Sequence, residues 1–272
     1  MEFYLFKLDE DGEPTRIPYD NAGYMDIAPE DKGETVRREI CLTLEQMGIM
    51  TESSHHESGP GQNEIDFRYD DALSAAENAV TFRTVVKTIA ARSGLFAYFS
   101  PRPLPDHDGS GMHINISARH RGAEMPVDRL IAGLLDKICE MTLFLNPCAA
   151  SYARLGRDKA PSYVTWSEQN RSQLIRVPAA FGPYRRLELR SPDPMANPYL
   201  AYALIIHACL YGMENELPLP EPSNFNTFTA SAAQLAEYKK LPASLGEAFA
   251  AASKSEFIRG LIPDSLIEAY RR

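Results

Sequence analysis

The chain has 272 residues, a formal net charge of −9 and 44% hydrophobic residues. That length supports one large domain or two small ones around a real core. The acidic balance excludes a global basic footprint for nucleic acid, and the lack of any run of 18 apolar residues excludes a membrane-spanning helix.

The N-terminal residues, MEFYLFKLDEDGEP, carry neither a basic nor an apolar targeting region. They read as a strand that enters an Asp11-Gly12 turn and a second short strand, a hairpin. Asn21 to Asp26 reads as a loop. Lys32 to Met47 has Val36, Ile40, Leu44 and Met47 on one stripe and Gly48 as a stop, which predicts a helix. Ser54 to Phe67 packs two histidines and three acids around Gly59-Pro60-Gly61. It then alternates, with Gln62, Glu64 and Asp66 on one face and Asn63, Ile65 and Phe67 on the other, which predicts a strand. A turn aiming Glu57 and Glu64 at one point would suit a hard cation such as Mg²⁺ or Mn²⁺. A solvated acidic loop is the alternative.

Asp71 to Ser93 reads as a long amphipathic helix ended by Gly94, and Leu95 to Phe99 as a buried strand. In Gly111 to Ser117, residues His113, Asn115 and Ser117 share one face of a second alternating stretch. Asp128 to Leu145 is a helix stopped by Asn146-Pro147. The region 151–190 holds eight basic residues against three acids, a local excess of five positive charges in an acidic chain. Its last strand sets Arg186, Glu188 and Arg190 on one face and Leu187 and Leu189 on the other. Ala196 to Glu214 is an apolar helix expected to be buried, with His207 in the core. Cys41, Cys139, Cys148 and Cys209 form no C-x-x-C pair and read as reduced thiols of a cytoplasmic protein.

Several strands thus expose metal-ligand types (Glu57, Glu64, His113, Glu188) with arginines beside them. Carboxylates for divalent cations plus bidentate guanidinium groups are the equipment of phosphoryl transfer. A polyanion-binding module and a merely wet sheet face remain open on these residues alone. No P-loop or dinucleotide fingerprint is present.

Four motifs then occur in order: His55-His56-Glu57 through Gly59-Pro60-Gly61-Gln62-Asn63-Glu64; Asp108-Gly109-Ser110-Gly111-Met112-His113; Asn170-Arg171-Ser172; and Arg186 to Pro194 with Asn197-Pro198-Tyr199-Leu200. In order and spacing they resemble the catalytic domain of bacterial glutamine synthetase, from Glu2 to about Leu245. The resemblance implies an α+β fold, a curved antiparallel sheet funnel with flanking long helices (glutamine synthetase/guanido kinase-like). It implies one catalytic domain over 1–272, without the family's N-terminal β-grasp domain and last C-terminal helix. It also implies an ATP-dependent ligase that joins the γ-carboxylate of glutamate to ammonia or another amine through a γ-glutamyl phosphate. Two divalent cations, Mg or Mn, would be bound, one by Glu2, Glu57 and Glu64 and the other by His113 and Glu188. Gly109, Arg154 and Arg190 would position glutamate, and Arg171 would stabilise the transferred phosphoryl group. Glu52, Ser117, Arg176 and Arg186 would lie near ATP; for Arg176 and Arg186 a partly exposed ion pair is the alternative. Tyr24 and Trp166 match positions near the substrate pocket or pack as aromatics.

The sequence departs from the family pattern in three places. Met1-Glu2-Phe3 stands where the family has Glu-x-Glu-Phe, so the second cation site is one ligand short. Lys159 stands where the family has a flap glutamate, with Asp158 one position off; a lysine repels ammonium. The chain stops before the family's last helix. These departures raise an alternative, an impaired or inactive member acting as a nucleotide/metal-binding or assembly module. They also favour a fragment or split form, and a monomer or small homo-oligomer over a full double ring.

Overall fold

The computed structural model describes residues 1–180 and 185–271. They divide into two compact units, 1–112 and 113–272.

The first unit is built on β1 (Glu2–Leu8), whose residues Phe3, Tyr4, Leu5 and Phe6 are all fully buried. A strand buried on both faces reads as a continuous apolar run rather than an alternating one. It pairs antiparallel with β2 (Pro14–Pro18), completing the expected hairpin. It also pairs with β4 (Gln62–Phe67) and β5 (Leu95–Tyr98). The strand β3 (Thr51–His56) closes the sheet on the far side of β4, giving the order β2-β1-β4-β3.

Two helices belong to this unit. In α1 (Glu34–Gln46), Val36, Ile40 and Leu44 are buried as the stripe predicts. Met47 is more than half exposed, a departure from that stripe. It falls at the C-cap, where the chain leaves the helix for Gly48 at φ +88°. The helix α2 (Ala72–Arg92) begins at Asp71, whose carboxylate accepts the backbone N–H groups of Leu73 and Ser74. Its Phe82 meets Phe3 and Phe99 edge-on, with centroids 6.1 and 6.2 Å apart, which ties helix to sheet.

The second unit starts with β6 (Ile114–Ile116) and the small ladder of β7 (Arg119–His120) and β8 (Ala123–Glu124). Then come α3 (Val127–Leu145), α4 (Ala149–Arg154), β9 (Trp166–Glu168), β10 (Ile175–Val177) and β11 (Leu187–Leu189). The chain ends with α5 (Pro198–Glu214) and the shorter α6 (Ala232–Leu235), α7 (Leu245–Lys254), α8 (Glu256–Arg259) and α9 (Asp264–Glu268). The sheet order is β6-β11-β10-β9, antiparallel except for the parallel β9–β10 pair.

The core of this unit is the crossing of α3 and α5. Gly133 and Gly212 meet there so closely that a Cβ on Gly133 would strike the Ala208 carbonyl oxygen. The helix α5 buries Ala201, Leu204, Ile205, Ala208, Cys209 and Gly212. Its other face carries Tyr199, Ile206 and Leu210, each about 40% exposed, and His207 is exposed as well. The expectation of a fully buried helix with His207 in the core is therefore corrected. An apolar sequence buries only the stripe that meets α3, and His207 falls on the other side of the helix. Mixed helices and largely antiparallel sheets match the expected α+β class.

Candidate functional site

In the first unit the candidate site grows from strand register. Glu2 on β1 lies opposite Glu64 on β4, and Glu64 lies opposite His55 on β3. Residues directly opposed across an antiparallel pair share a face with close Cβ atoms. Three neighbouring strands thus place an acid, an acid and an imidazole in a row. Glu57 follows the end of β3, and its backbone N–H donates to the Gln62 carbonyl at 2.8 Å. One ligand atom each from His55, Glu57 and Glu64 falls within 4.8 Å of the others.

The carboxylates are held from behind. Glu2 Oε2 accepts the Gly111 N–H at 2.9 Å and the Gln62 side-chain amide at 3.2 Å. Gln62 also donates to the Gly109 carbonyl at 3.2 Å, and the Tyr4 hydroxyl donates to the Asp108 carbonyl at 2.5 Å. The 108–111 loop is thereby fastened to β1 and β4, and Gly109 is placed by its backbone. Glu57 Oε2 accepts the Ser58 N–H at 2.9 Å. Burial and the Glu2 carboxylate, with smaller contributions from Asp66 and Glu57, push the Glu64 carboxyl up to about 9. Like charges crowded in a low-dielectric site are what a bound cation relieves, and oxygen donors with an imidazole fit Mg²⁺ or Mn²⁺.

His55 was not singled out as a ligand from the sequence. Its Nε2 lies 3.4 Å from Glu64 Oε2, and the Tyr24 ring meets its edge at 5.7 Å. The signal was available: closing a hairpin about Gly59-Pro60-Gly61 pairs residue 55 with residue 64. Glu52, expected near the nucleotide, is exposed at the start of β3, beside the irregularity between Thr51 and Ser53.

Behind this row lies a buried polar network. His56 is fully buried, with Nε2 2.9 Å from Asp20 Oδ1 and Nδ1 2.6 Å from the Glu57 carbonyl. Burial disfavours its charge, but the Asp20 carboxylate and the Glu57 carbonyl outweigh that and hold its pKa above the ordinary value. Arg37 pairs bidentately with Asp31 at 2.6 and 3.0 Å and donates to Asn63 Oδ1 at 2.6 Å. Asp20, Asp31 and His56 are ligand types in close reach of one another. The Arg37 guanidinium already supplies the cation there, so this cluster is a structural network.

In the second unit the register of β6, β11 and β10 sets Glu188 opposite Asn115 on one side and Arg176 on the other. Glu188 is buried. Its Oε1 accepts from Arg190 Nη1 at 2.9 Å and lies 3.5 Å from His113 Nδ1. Arg176 Nε approaches Glu188 Oε2 to 2.5 Å, but without hydrogen-bond alignment, so this is a charge contact. Burial, then Arg190 and Arg154, hold the His113 pKa well below its ordinary value, leaving a neutral imidazole suited to a metal. Arg154 is buried and donates to the Ser191 carbonyl at 2.8 Å and the Arg190 carbonyl at 3.3 Å. Its guanidinium lies close to Asp193.

The structure therefore brings His113, Arg176, Glu188, Arg190 and Arg154 together. Arg186 lies alongside through a 3.0 Å bond to Asn115. Ser117 lines a cleft with Arg119, Met125, Val127 and Arg185. Arg171 is exposed on a turn built by Asn170, whose Oδ1 accepts the Ser172 N–H at 2.9 Å. The Trp166 indole donates to the Pro220 carbonyl at 2.8 Å, a packing contact. In the loop 155–161, Asp158 (φ +54°) and Lys159 are both exposed.

Comparisons with known proteins identify the family. The glutamine synthetase catalytic-domain model matches residues 1–272. A glutamine synthetase of Methanosarcina mazei is 44% identical over 99% of this chain and 64% of its own length. One from Staphylococcus aureus is 45% identical over 95% of this chain and 61% of its own length. The chain thus spans less than two thirds of these relatives. Among solved structures, a GmaS/ADP complex superposes with a TM-score of 0.85 at 28% identity, covering 99% of this chain and 65% of that one. A Plasmodium falciparum glutamine synthetase, at 21% identity and a TM-score of 0.82 over 99% of this chain and 69% of its own, shows the shared fold.

Proposed function

The chain belongs to the glutamine synthetase catalytic-domain family, and from that premise we propose that it carries an ATP-dependent glutamate–amine ligase activity. The γ-phosphoryl group of ATP passes to the side-chain carboxylate of glutamate and ADP leaves. Ammonia or another amine attacks the acyl phosphate, loses a proton and displaces phosphate. The observation that carries the reading is the row of Glu2, Glu64, Glu57 and His55, whose crowding raises the Glu64 carboxyl.

Glu2, Glu57 and Glu64 would hold one divalent cation, with His55 within reach of the same point, and His113 and Glu188 would contribute to a second. Such cations supply charge neutralisation for the phosphates. Arg154 and Arg190 would bind the glutamate carboxylate, Arg171 would steady the transferred phosphoryl group, and Ser117, Arg176 and Arg186 would serve the nucleotide. Bidentate guanidinium groups suit carboxylate and phosphate alike. Asp158 is the one carboxylate in the loop 155–161 that could take the amine's proton.

The test is phosphate release from ATP with glutamate, Mg²⁺ or Mn²⁺ and a panel of amines. Glutamate-dependent release that Glu57→Gln lowers at least 100-fold is expected; its absence overturns the ligase reading. A second reading, nucleotide and metal binding without turnover, is favoured by one observation: both Glu188 oxygens already face arginine. ATP–Mn²⁺ binding by calorimetry without phosphate release would establish it. A small homo-oligomer is proposed for this chain, to be sized by light scattering. Among the described residues, no helix is long and apolar enough to cross a membrane.

A further inference from the structure

We infer that His56 is a positioning residue for the cation site, acting through the backbone of Glu57 rather than as a ligand. The inference rests on the reading that Glu57 and Glu64 hold a cation. Both ring nitrogens face acceptors, a carbonyl oxygen at 2.6 Å and a carboxylate oxygen at 2.9 Å. Both nitrogens are thus engaged, and neither is open to a metal. The ring is fully buried and its two bonds run in opposite directions, so it cannot turn without breaking one.

At one end the ring is anchored by Asp20. That carboxylate also accepts the backbone N–H groups of Gly61 at 3.0 Å and Lys32 at 3.1 Å. It therefore fixes the ring to both the 57–61 turn and the preceding loop. At the other end the ring holds the Glu57 carbonyl, while the Glu57 N–H is spent on Gln62. Both polar groups of the Glu57 backbone are thus occupied, which leaves its side chain to point from a fixed base. The His56 carbonyl accepts the Met25 N–H at 3.0 Å and closes the same frame. Partners that orient a ligand from behind commonly carry 10–100-fold in metal affinity.

The two ring bonds can be tested apart. An Asn side-chain amide reaches the place of Nδ1 and keeps the bond to the Glu57 carbonyl. A Gln amide reaches the place of Nε2 and keeps only the bond to Asp20. Mn²⁺ affinity is measured from the free-ion paramagnetic resonance signal for the whole chain and for His56→Asn, His56→Gln, His56→Ala and Glu57→Gln, with metal-free melting curves alongside. His56→Ala and His56→Gln should bind Mn²⁺ at least tenfold more weakly, and His56→Asn within about threefold of the parent, although it loses the Asp20 bond and melts lower. Rescue by Asn but not Gln is a pattern that a general loss of stability does not produce. Equal affinities for the Asn and Gln variants, or parental binding by His56→Ala, overturn the inference. Should His56→Ala fail to fold, the Asn and Gln pair decides alone. A parent chain that binds no Mn²⁺ overturns the cation reading and this one together, whereas parental binding unchanged by the His56 variants overturns only this one.

Discussion

Glu64 shows how one residue can oppose folding in order to bind. Its carboxyl is raised from near 4.5 to about 9 by burial and by the Glu2 carboxylate. In the folded chain it therefore keeps its proton over a range in which the unfolded chain ionises. Its contribution to stability is complete below about pH 4.5 and is lost as pH rises through about 9, by up to roughly 1.4 kcal/mol per pH unit between those limits. Glu64→Gln should flatten that slope. Urea midpoints at pH 5 and pH 8 in metal-free buffer check it: the parent should lose stability between them by at least about 1 kcal/mol more than the variant (about a fivefold change in the folding constant). Parallel curves would show that Glu64 is not crowded. That Glu57 and Glu64 lie near one another was legible, because they flank the Gly59-Pro60-Gly61 turn that joins β3 to β4. His55 was missed, because its partnership with Glu64 is read only by closing the β3–β4 hairpin about Gly59-Pro60-Gly61 and counting its register.

At the scale of elements, periodicity located helices well and said less about which neighbour each would meet. The stripe of α1 was legible because Val36, Ile40 and Leu44 recur at helical spacing and all three are buried. The apolar α5 concealed a two-sided helix, since uniform hydrophobicity has no preferred face and only packing against α3 selects one. The contact that selects it is Gly133 on Gly212, where a Cβ on Gly133 would meet the Ala208 carbonyl oxygen and lie 2.8 Å from the Gly212 nitrogen. Both neighbours are backbone, so neither can turn aside. Gly133→Ala should destabilise the chain by about 2–3 kcal/mol, even though alanine is the better helix former by about 1 kcal/mol. A denaturant melt checks this, and a variant as stable as the parent would mean the helices are farther apart than described. The Arg37–Asp31 pair was equally hidden, because a buried ion pair six residues apart in a loop-to-helix segment carries no spacing rule.

For the molecule as a whole, the two units hold different sets of charged groups. The acids that suit a cation, with His55, belong to 1–112, and the arginine cluster about Glu188 belongs to 113–272. Charge is divided in a similar way, with an excess of five positive charges over residues 151–190. The first cation and the nucleotide should therefore leave separate footprints, even if a second cation at Glu188 adds to the protection of 185–190. Mn²⁺ at 100 times its dissociation constant stabilises the state that binds it by about 2.7 kcal/mol, or roughly 100-fold in the opening equilibrium. Amides of β1, β3 and β4 should slow in hydrogen exchange by up to that factor, since they hold Glu2, His55 and Glu64. ADP without metal should instead slow amides of 114–119, 171–177 and 185–190, where Ser117, Arg171, Arg176 and Arg186 lie. Exchange measured peptide by peptide with each ligand alone distinguishes the two patterns. Protection by Mn²⁺ confined to the second unit would move the first cation site away from Glu57 and Glu64. Protection by ADP confined to the first would remove the nucleotide role from the arginine cluster. With both ligands present, the two sets should slow together if each ligand raises the affinity for the other, because coupling between sites is reciprocal.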